Sequence, residues 1–262
     1  METKILVVGD VYGRPGRQAI KEGLKIIQEE YDIDYTIVNG ENAAGGKGMT
    51  EEICSDFFNW GTDVISSGNH ARSKKEIDKV LKTNPAVLRP YNYPEKVPGV
   101  GLHVGKAKNH QSVATINILG RVNMAEVACP FTKAMEAIKK AKKLANIVVV
   151  DFHAEATSEK RAMGWFLNGK VSAVVGTHTH VPTADAEILP GKTAYITDLG
   201  MTGPYNSVIG LKTELALERF LNNNRKKFEV AKGDVRLCGV VITVEDSGVA
   251  LHIEQVIKKL DL

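Results

Sequence analysis

The chain has 262 residues, of which 43% are hydrophobic, and its formal net charge is +3. This length and composition fit one globular domain with a real core, and a mild charge without a basic run argues against stable nucleic-acid binding. No apolar run reaches the ~18 residues of a membrane span, and the cysteines (Cys54, Cys129 and Cys238) are too scattered for a metal finger or a disulfide framework. We therefore expect a cytoplasmic protein without membrane contact.

The N-terminal part predicts strands that alternate with helices. Apolar runs at 4–9, 35–38 and 63–67 are typical of strands buried on both faces. Helices are predicted after each of them, with Pro15 at the first position of the first helix and Thr50 as the N-cap of the second. The third helix is expected at about 73–82. This β-α-β-α-β-α order predicts a mainly parallel sheet with right-handed crossovers.

The remaining chain contains a less regular stretch. Prolines and tyrosines interrupt 85–98, whereas 101–105 and 112–119 alternate like an antiparallel pair of strands. We expect one domain over 1–262 with a small irregular insertion at about 85–131. Helices are predicted at 132–143, 158–167 and 212–221, and strands at 147–150, 171–175, 187–189, 194–197, 235–244 and 250–256.

Five apolar runs end in side chains that bind metals: Asp10, Glu41 with Asn42, Asn69 with His70, His153, and His178 with His180. Taken singly, each has an ordinary explanation as a turn residue, a helix cap or a structurally satisfied histidine. His178 and His180 share a face if their segment stays extended. The recurrence predicts that all five groups meet at the same end of one sheet and form a joint site. His103, His110 and His252 do not follow this pattern.

The chemistry of this set favours a dinuclear metal site. Two carboxylates, two amides and three imidazoles supply enough ligands for two divalent ions, and the absence of a thiolate favours Mn, Fe or Zn in an open catalytic site. Two such ions clamp the attacking and leaving oxygens of a phosphoryl displacement. Glu41 is the expected bridging ligand, and a hydroxide held between the ions is the expected nucleophile.

The sequence resembles the calcineurin-like metallophosphoesterase superfamily. The resemblance rests on Gly9-Asp10, Gly40-Glu41-Asn42, Gly68-Asn69-His70, His153 and Gly176-Thr177-His178-Thr179-His180; the longer runs 39–48, 151–160 and 196–204 resemble its YmdB-like branch over nearly the whole chain. It implies an α/β fold with a β-sandwich flanked by helices in αββα layers. It also implies phosphodiesterase activity on 2′,3′-cyclic nucleotides, with the metals at the top of the sandwich.

The resemblance also implies a role for each residue of the site. One ion would be held by Asp10, Glu41, Asn42 and His180, and the other by Glu41, Asn69, His153 and His178. His70 would stay uncoordinated beside the substrate phosphate and act as the general acid. Fe or Mn is the expected metal, with Zn and Mg as alternatives.

The sequence departs from the superfamily pattern in three places. Tyr12 stands where a histidine ligand is usual, and Glu41 where an aspartate is usual; both fit the YmdB-like branch, in which Asn42 supplies the missing ligand. The segment 71–73, Ala-Arg-Ser, replaces a usual Trp-Asp pair after His70. Arg72 would then either meet the anionic substrate or, as the simpler interpretation, be a solvated residue at a helix start.

Two other functions remain open at this point. One is a regulatory binder, in which the metals hold a nucleotide or a phosphoprotein and hydrolysis is residual. The other is a different enzyme on the same scaffold, such as a capsule-synthesis-type protein. The sequence also leaves the physiological substrate, the metal in the cell, a homo-oligomeric state and any regulatory partner open.

Overall fold

The structure is a computed structural model that describes residues 1–223, 227 and 229–262. Its strands are β1 (Glu2–Val8), β2 (Tyr35–Asn39), β3 (Val64–Ser66), β4 (Leu102–Lys106), β5 (Ser112–Leu119), β6 (Ile147–His153), β7 (Ala173–Thr177), β8 (Glu187–Ile188), β9 (Ala194–Ile196), β10 (Gly203–Pro204), β11 (Val235–Glu245) and β12 (Ala250–Leu260). Its helices are α1 (Gly13–Glu30), α2 (Glu51–Asn59), α3 (Ile77–Thr83), α4 (Pro130–Ala141), α5 (Thr157–Leu167) and α6 (Thr213–Asn222). None of these helices is both long and apolar enough to cross a bilayer.

The strands form two six-stranded sheets. The first has the order β10-β11-β1-β2-β3, with β12 also paired to β11, and β1, β2 and β3 are parallel as predicted. The second has the order β4-β5-β6-β7-β9-β8, and its central strands are parallel. The predicted antiparallel pair at its edge is confirmed by β4 and β5. The insertion proposed at 85–131, which contains this pair, stays a prediction.

Apolar side chains fill three layers. Ile5 and Val7 of β1 point inward and pack with Val149 of β6 between the two sheets, whereas Leu6 and Val8 point outward into the layer beneath α1, α2 and α3. Helices α4 and α5 cover the outer face of the second sheet in the same way. Because both faces of each sheet are buried, the strands need the continuous apolar runs seen in the sequence. The expected αββα sandwich is therefore confirmed.

Local details differ from the sequence predictions at two helix starts. Thr50 does cap α2, since its hydroxyl accepts a hydrogen bond from the Ile53 amide at 3.2 Å. Pro15, however, is the third residue of α1 rather than the first. Helix α3 begins at Ile77, not near 73, because the preceding residues form a turn in which the Ser73 amide donates to the carbonyl of His70 at 3.0 Å.

Candidate metal centre

The predicted site residues lie at the carboxyl ends of strands from both sheets. Asp10, Glu41 and Asn69 follow β1, β2 and β3 of the first sheet. His153 ends β6 and His178 follows β7, both in the second sheet. The expectation of a single sheet is therefore wrong, because β6 and β7 pair with β5 and β9 rather than with β1 to β3. The two sheets meet at this end, and the side chains still come together.

One group of ligand-type atoms surrounds the Nε2 atom of His153. This atom lies 3.0 Å from Asn69 Oδ1, 3.2 Å from Glu41 Oε1 and 3.0 Å from His178 Nδ1. Glu41 and His153 are buried, and His178 is half-buried. Glu41, His153 and His178 each offer an atom within 4.8 Å of the others, so this group can hold a metal ion.

A second group surrounds the Nε2 atom of His180. This atom lies 3.3 Å from Asn42 Oδ1 and 4.0 Å from Asp10 Oδ1. Asp10 Oδ1 is buried and has no hydrogen-bond donor among the described residues, although Asp10 Oδ2 accepts from the His178 amide at 3.1 Å. A buried carboxylate oxygen without a donor is costly, and a cation at this point would satisfy it.

A buried hydrogen-bond chain sets the tautomer of His153. Its Nδ1 atom lies 2.9 Å from the Thr177 hydroxyl oxygen, and that hydroxyl donates to Asp151 Oδ1 at 2.7 Å. Since the Thr177 proton is given to Asp151, the Thr177 oxygen accepts from His153 Nδ1–H. Asp151 is held in turn by Ser66 Oγ at 2.5 Å and Asn39 Nδ2 at 3.0 Å. His153 Nε2 is thereby left to face the ligand group.

The other two histidines are oriented by outer contacts of the same kind. His180 Nδ1 lies 2.9 Å from the carbonyl oxygen of Ile209, which can only accept, so this nitrogen carries the proton. His178 Nε2 lies 3.0 Å from Glu155 Oε2, and this neighbouring carboxylate favours the tautomer with the proton on Nε2. Both rings therefore direct an unprotonated nitrogen into the site, as ligating histidines do.

With these tautomers, the side-chain atoms that face one another in the site are all acceptors. Such a set of acceptors is what a bound cation requires. Lone pairs of His153, His178, Glu41 and Asn69 face one another at about 3 Å, the spacing expected of neighbouring ligands around an ion with bonds of about 2.1 Å. Without a cation, a proton takes that place. Burial alone would lower the pKa of His153, but Glu41, Asp10 and Asp151 raise it to about 9. The residues present therefore fit a metal.

The two buried carboxyl groups respond differently to this environment. Burial raises the pKa of Asp10 to about 6, although His153 and His180 oppose the rise. Burial also acts to raise the pKa of Glu41, but His153 and His70 together outweigh it and lower that pKa to about 2. Glu41 is thus the carboxylate that keeps its negative charge most firmly, which suits a bridging ligand.

The His178–His180 segment does not reach the site as an extended strand. The φ angles of His178 and His180 are 100° and 66°, in the region that residues other than glycine rarely adopt. The premise of a shared strand face is therefore wrong, because β7 ends at Thr177 and a turn follows. Such strain costs about 1–3 kcal/mol per residue and is characteristic of functional sites.

Two neighbours explain how the site is packed. The Tyr12 ring, at the position of the usual histidine ligand, packs edge-on against His180 with 5.4 Å between ring centroids. At Gly68 a Cβ atom would lie 2.2 Å from His153 Cδ2 and 2.3 Å from Glu41 Oε2. Only glycine lets β3 end this close to the ligand group.

His70 lies beside the ligand group without joining it. Its amide donates to Glu41 Oε2 at 3.1 Å, and its Nδ1 atom lies 3.4 Å from Ser73 Oγ. Burial lowers the pKa of the His70 ring against the opposing effect of Glu41. Arg72 turns away to form a bidentate pair with Asp78, at 2.7 and 2.5 Å, so the simpler interpretation of Arg72 as a surface residue is the one this geometry favours.

The site opens into a cavity of about 630 Å³. Its lining includes Glu41, His70 and His178 together with Lys47 and Lys74, neither of which forms an ion pair with a described carboxylate. Neither lysine is predicted from the sequence as a site residue, and neither are Thr177, Asp151 and Glu155. The glycines around Lys47 were the one signal that its side chain belongs to a ligand-binding loop.

Comparison with known proteins then supplies the family. A family model described as "YmdB-like protein" matches residues 6–256. This chain belongs to the YmdB-like family. A relative from Bacillus subtilis (strain 168), named 2′,3′-cyclic-nucleotide 2′-phosphodiesterase, is 48% identical over 255 residues, which are 97% of this chain and 96% of the relative.

Two solved structures agree with this chain in fold. A hypothetical protein from Thermus thermophilus superposes with a TM-score of 0.90 at 39% identity, covering 98% of this chain and 99% of that one. A structure described as a novel phosphatase from Mycoplasma pneumoniae gives a TM-score of 0.91 at 34% identity, covering 99% and 94%. The predicted resemblance, fold and membership among metallophosphoesterase-type enzymes are therefore confirmed.

Proposed function

We propose that this protein is a dinuclear metal-dependent phosphodiesterase that hydrolyses 2′,3′-cyclic nucleotides. The observation that carries the proposal is the convergence of acceptor atoms around His153 Nε2 and His180 Nε2, with an orphaned Asp10 oxygen between the two histidines. The name of the Bacillus subtilis relative supports the substrate class. Mn or Fe suits the nitrogen and oxygen ligands, with Zn and Mg as alternatives.

The ligand roles follow from the two groups of atoms. Asp10, Asn42 and His180 would hold one ion and Asn69, His153 and His178 the other, with Glu41 shared between them. Bound ions would supply positive charge for the phosphate oxygens and lower the pKa of the attacking water. The protein residues keep the ligand atoms in place and exclude bulk water from Asp10 and Glu41, both of which are buried.

His70 is proposed as the general acid. It lines the cavity and its ring is not held by any of the proposed ligands, so it is free to face a substrate phosphate. In the balanced reaction, the water oxygen forms a bond to phosphorus and the P–O2′ bond breaks. The attacking water loses one proton to solvent, His70 gives a proton to the departing O2′ and regains one from solvent, and the product is a 3′-phosphomonoester. Protonation by a positioned imidazole is typically worth 10²–10⁴-fold in rate.

The test is a comparison of substrates with purified protein and added Mn²⁺. We expect turnover of 2′,3′-cyclic AMP and 2′,3′-cyclic GMP at similar rates, because Tyr12 is the one aromatic residue on the described cavity lining and offers little base selection. 3′,5′-Cyclic AMP and p-nitrophenyl phosphate should be slower. A preference for either of these would overturn the substrate class, and tight nucleotide binding without turnover would favour a regulatory binder instead.

A further inference from the structure

A second basic cavity adjoins the one that contains the metal ligands. It has a volume of about 570 Å³ and shares Gly45 and Val230 with the first cavity. Its cationic side chains are Arg14, Arg17 and Lys232. None of its described lining residues is Asp or Glu.

The cations of this second cavity form no close ion pair with a carboxylate of the described residues. Arg17 donates to the carbonyl oxygen of Ala43 at 2.6 Å, in the loop that carries the proposed metal ligands. Burial, and then the nearby charge of Arg14, lowers the pKa of Arg17, while Asp56 and Glu52 oppose this shift. Neither arginine forms an ion pair with a described acidic group, in contrast to Arg236, which is paired with Asp234. Two like charges on one lining, without a carboxylate in ion-pair contact, favour an anionic ligand.

The first cavity continues this positive lining on its other side. Lys47 is exposed and Lys74 is half-buried, and both face the space beside His70. Basic side chains therefore flank the metal ligands and continue through Gly45 into the second cavity. A cyclic mononucleotide has one phosphate, which the metal ligands take, so it leaves the cations of the second cavity without a partner.

We propose that the substrate is the 3′ end of an RNA strand that terminates in a 2′,3′-cyclic phosphate, with the preceding backbone phosphates in the second cavity. This inference rests on the proposed function, because it takes opening of a 2′,3′-cyclic phosphate at the metal ligands as given. Such a group needs a ribose and occupies its 2′ and 3′ oxygens, so the substrate extends only through its 5′ oxygen. Basic grooves that track the backbone are the usual means of binding single strands.

The mild net charge indicates that the contact is short and weak rather than a stable nucleic-acid complex. Arg14 and Lys232 are exposed, and exposed ion contacts are weak, so the two together should contribute about tenfold in binding. The described lining of the second cavity carries no aromatic side chain on which bases would stack, so the strand should be bound with little sequence preference.

The experiment compares mononucleotide and trinucleotide. With Mn²⁺-loaded protein, a trinucleotide ending in a 2′,3′-cyclic phosphate should give a kcat/KM about tenfold above that of 2′,3′-cyclic AMP. The double variant Arg14→Ala, Lys232→Ala should remove this advantage and leave turnover of 2′,3′-cyclic AMP unchanged. The binding constant of a fluorescent trinucleotide 3′-phosphate should also depend less on salt in this double variant. The slope of its logarithm against the logarithm of the salt concentration should be smaller by about 1.4.

A matched control removes one arginine and one lysine from a part of the surface outside both cavities. Arg121 and Lys143 are exposed and lie outside both cavities, so Arg121→Ala, Lys143→Ala should keep both the trinucleotide advantage and the salt slope. Equal kcat/KM values for the two substrates in the unsubstituted protein, or equal losses in the two double variants, would overturn the inference and leave the proposed function intact. Absence of turnover with both substrates would overturn the proposed function as well.

Discussion

His153 Nδ1 lies 2.9 Å from the Thr177 hydroxyl oxygen, and both side chains are fully buried. Because Thr177 donates its own proton to Asp151, it accepts from His153 and leaves His153 Nε2 directed at Glu41. Outer contacts of this kind orient the ligand and raise its basicity. The candidate metal centre therefore has two layers, the proposed ligands and the residues that orient them, and the outer layer can be tested separately.

Replacing Thr177 by Val should lower metal affinity by roughly 10–100-fold, because His153 loses the acceptor that fixes its ring. Thr177→Ser keeps the hydroxyl and should retain wild-type affinity. Mn²⁺ titration by calorimetry measures both. Thr62→Val is the control, since the Thr62 hydroxyl is buried and has no hydrogen-bond partner among the described residues. Equal metal affinity in Thr177→Val and the native protein would show that the Thr177 hydroxyl does not support His153.

Replacing Glu41 by Gln removes the proposed shared charge between the two ions. Both ions should bind more weakly and hydrolysis should fall by more than roughly 10²-fold. Loss of a residue that only hydrogen-bonds to a ligand already lowers metal affinity or activity by roughly 10–100-fold, and loss of a ligand should cost more. Metal content after gel filtration and turnover of 2′,3′-cyclic AMP are the measurements. Glu187→Gln, which removes an exposed carboxylate paired with Arg161, should change neither. Two retained ions with near-native turnover would show that Glu41 is not the bridge.

Metal removal should lower thermal stability. Asp10 and Glu41 are buried close together, so bound cations relieve their mutual repulsion as well as adding ligand bonds. An ion present at 100 times its Kd stabilises the folded state by about 2.7 kcal/mol. For a chain of this size that corresponds to a Tm increase of about 5–10 °C. Calorimetry of chelator-treated protein, with and without added Mn²⁺, should show that difference, and Asp10→Asn should reduce it. An unchanged Tm would contradict metal binding at the buried cluster.

The sequence predicted the individual strand ends better than their arrangement. Asp10, Glu41 and Asn69 were found because a buried strand shows as a continuous apolar run and its end shows as a polar residue. The assignment of His153 to a separate sheet depends on pairing between distant segments, such as β1 with β11, and no local pattern records it. The turn at His178 was missed because a positive φ is rarely predictable for a residue other than glycine.

The hydrogen-bond network that supports His153 could not be predicted from the sequence, for a related reason. Asp151 follows the predicted strand at 147–150, yet it lies within β6, is buried, and accepts hydrogen bonds from Ser66, Asn39 and Thr177. These three residues come from β3, β2 and β7, so only the closed sandwich brings them together. Conversely, Arg72 looked available to a substrate because its partner Asp78 lies in the following helix and forms the pair only after the turn at 70–73 is made.

The last prediction concerns His70 as the general acid. The departing ribose oxygen needs a proton at neutral pH, and His70 lines the cavity with its ring outside the ligand group. His70→Gln should therefore reduce turnover of 2′,3′-cyclic AMP by roughly 10²–10⁴-fold while both ions stay bound. The loss should be much smaller with bis(p-nitrophenyl) phosphate, because nitrophenolate is a good leaving group that needs little protonation.

The competing role for His70 is purely structural, through its backbone contact with Glu41. That contact uses the amide, which His70→Gln retains, so a structural role predicts little change in either metal content or rate. His252→Gln, at an exposed position on β12, controls for histidine replacement in general. Metal analysis and turnover with both substrates separate the cases. If His70→Gln leaves the rate nearly unchanged, releases an ion, or slows both substrates by the same factor, His70 is not the general acid and another group protonates the departing oxygen.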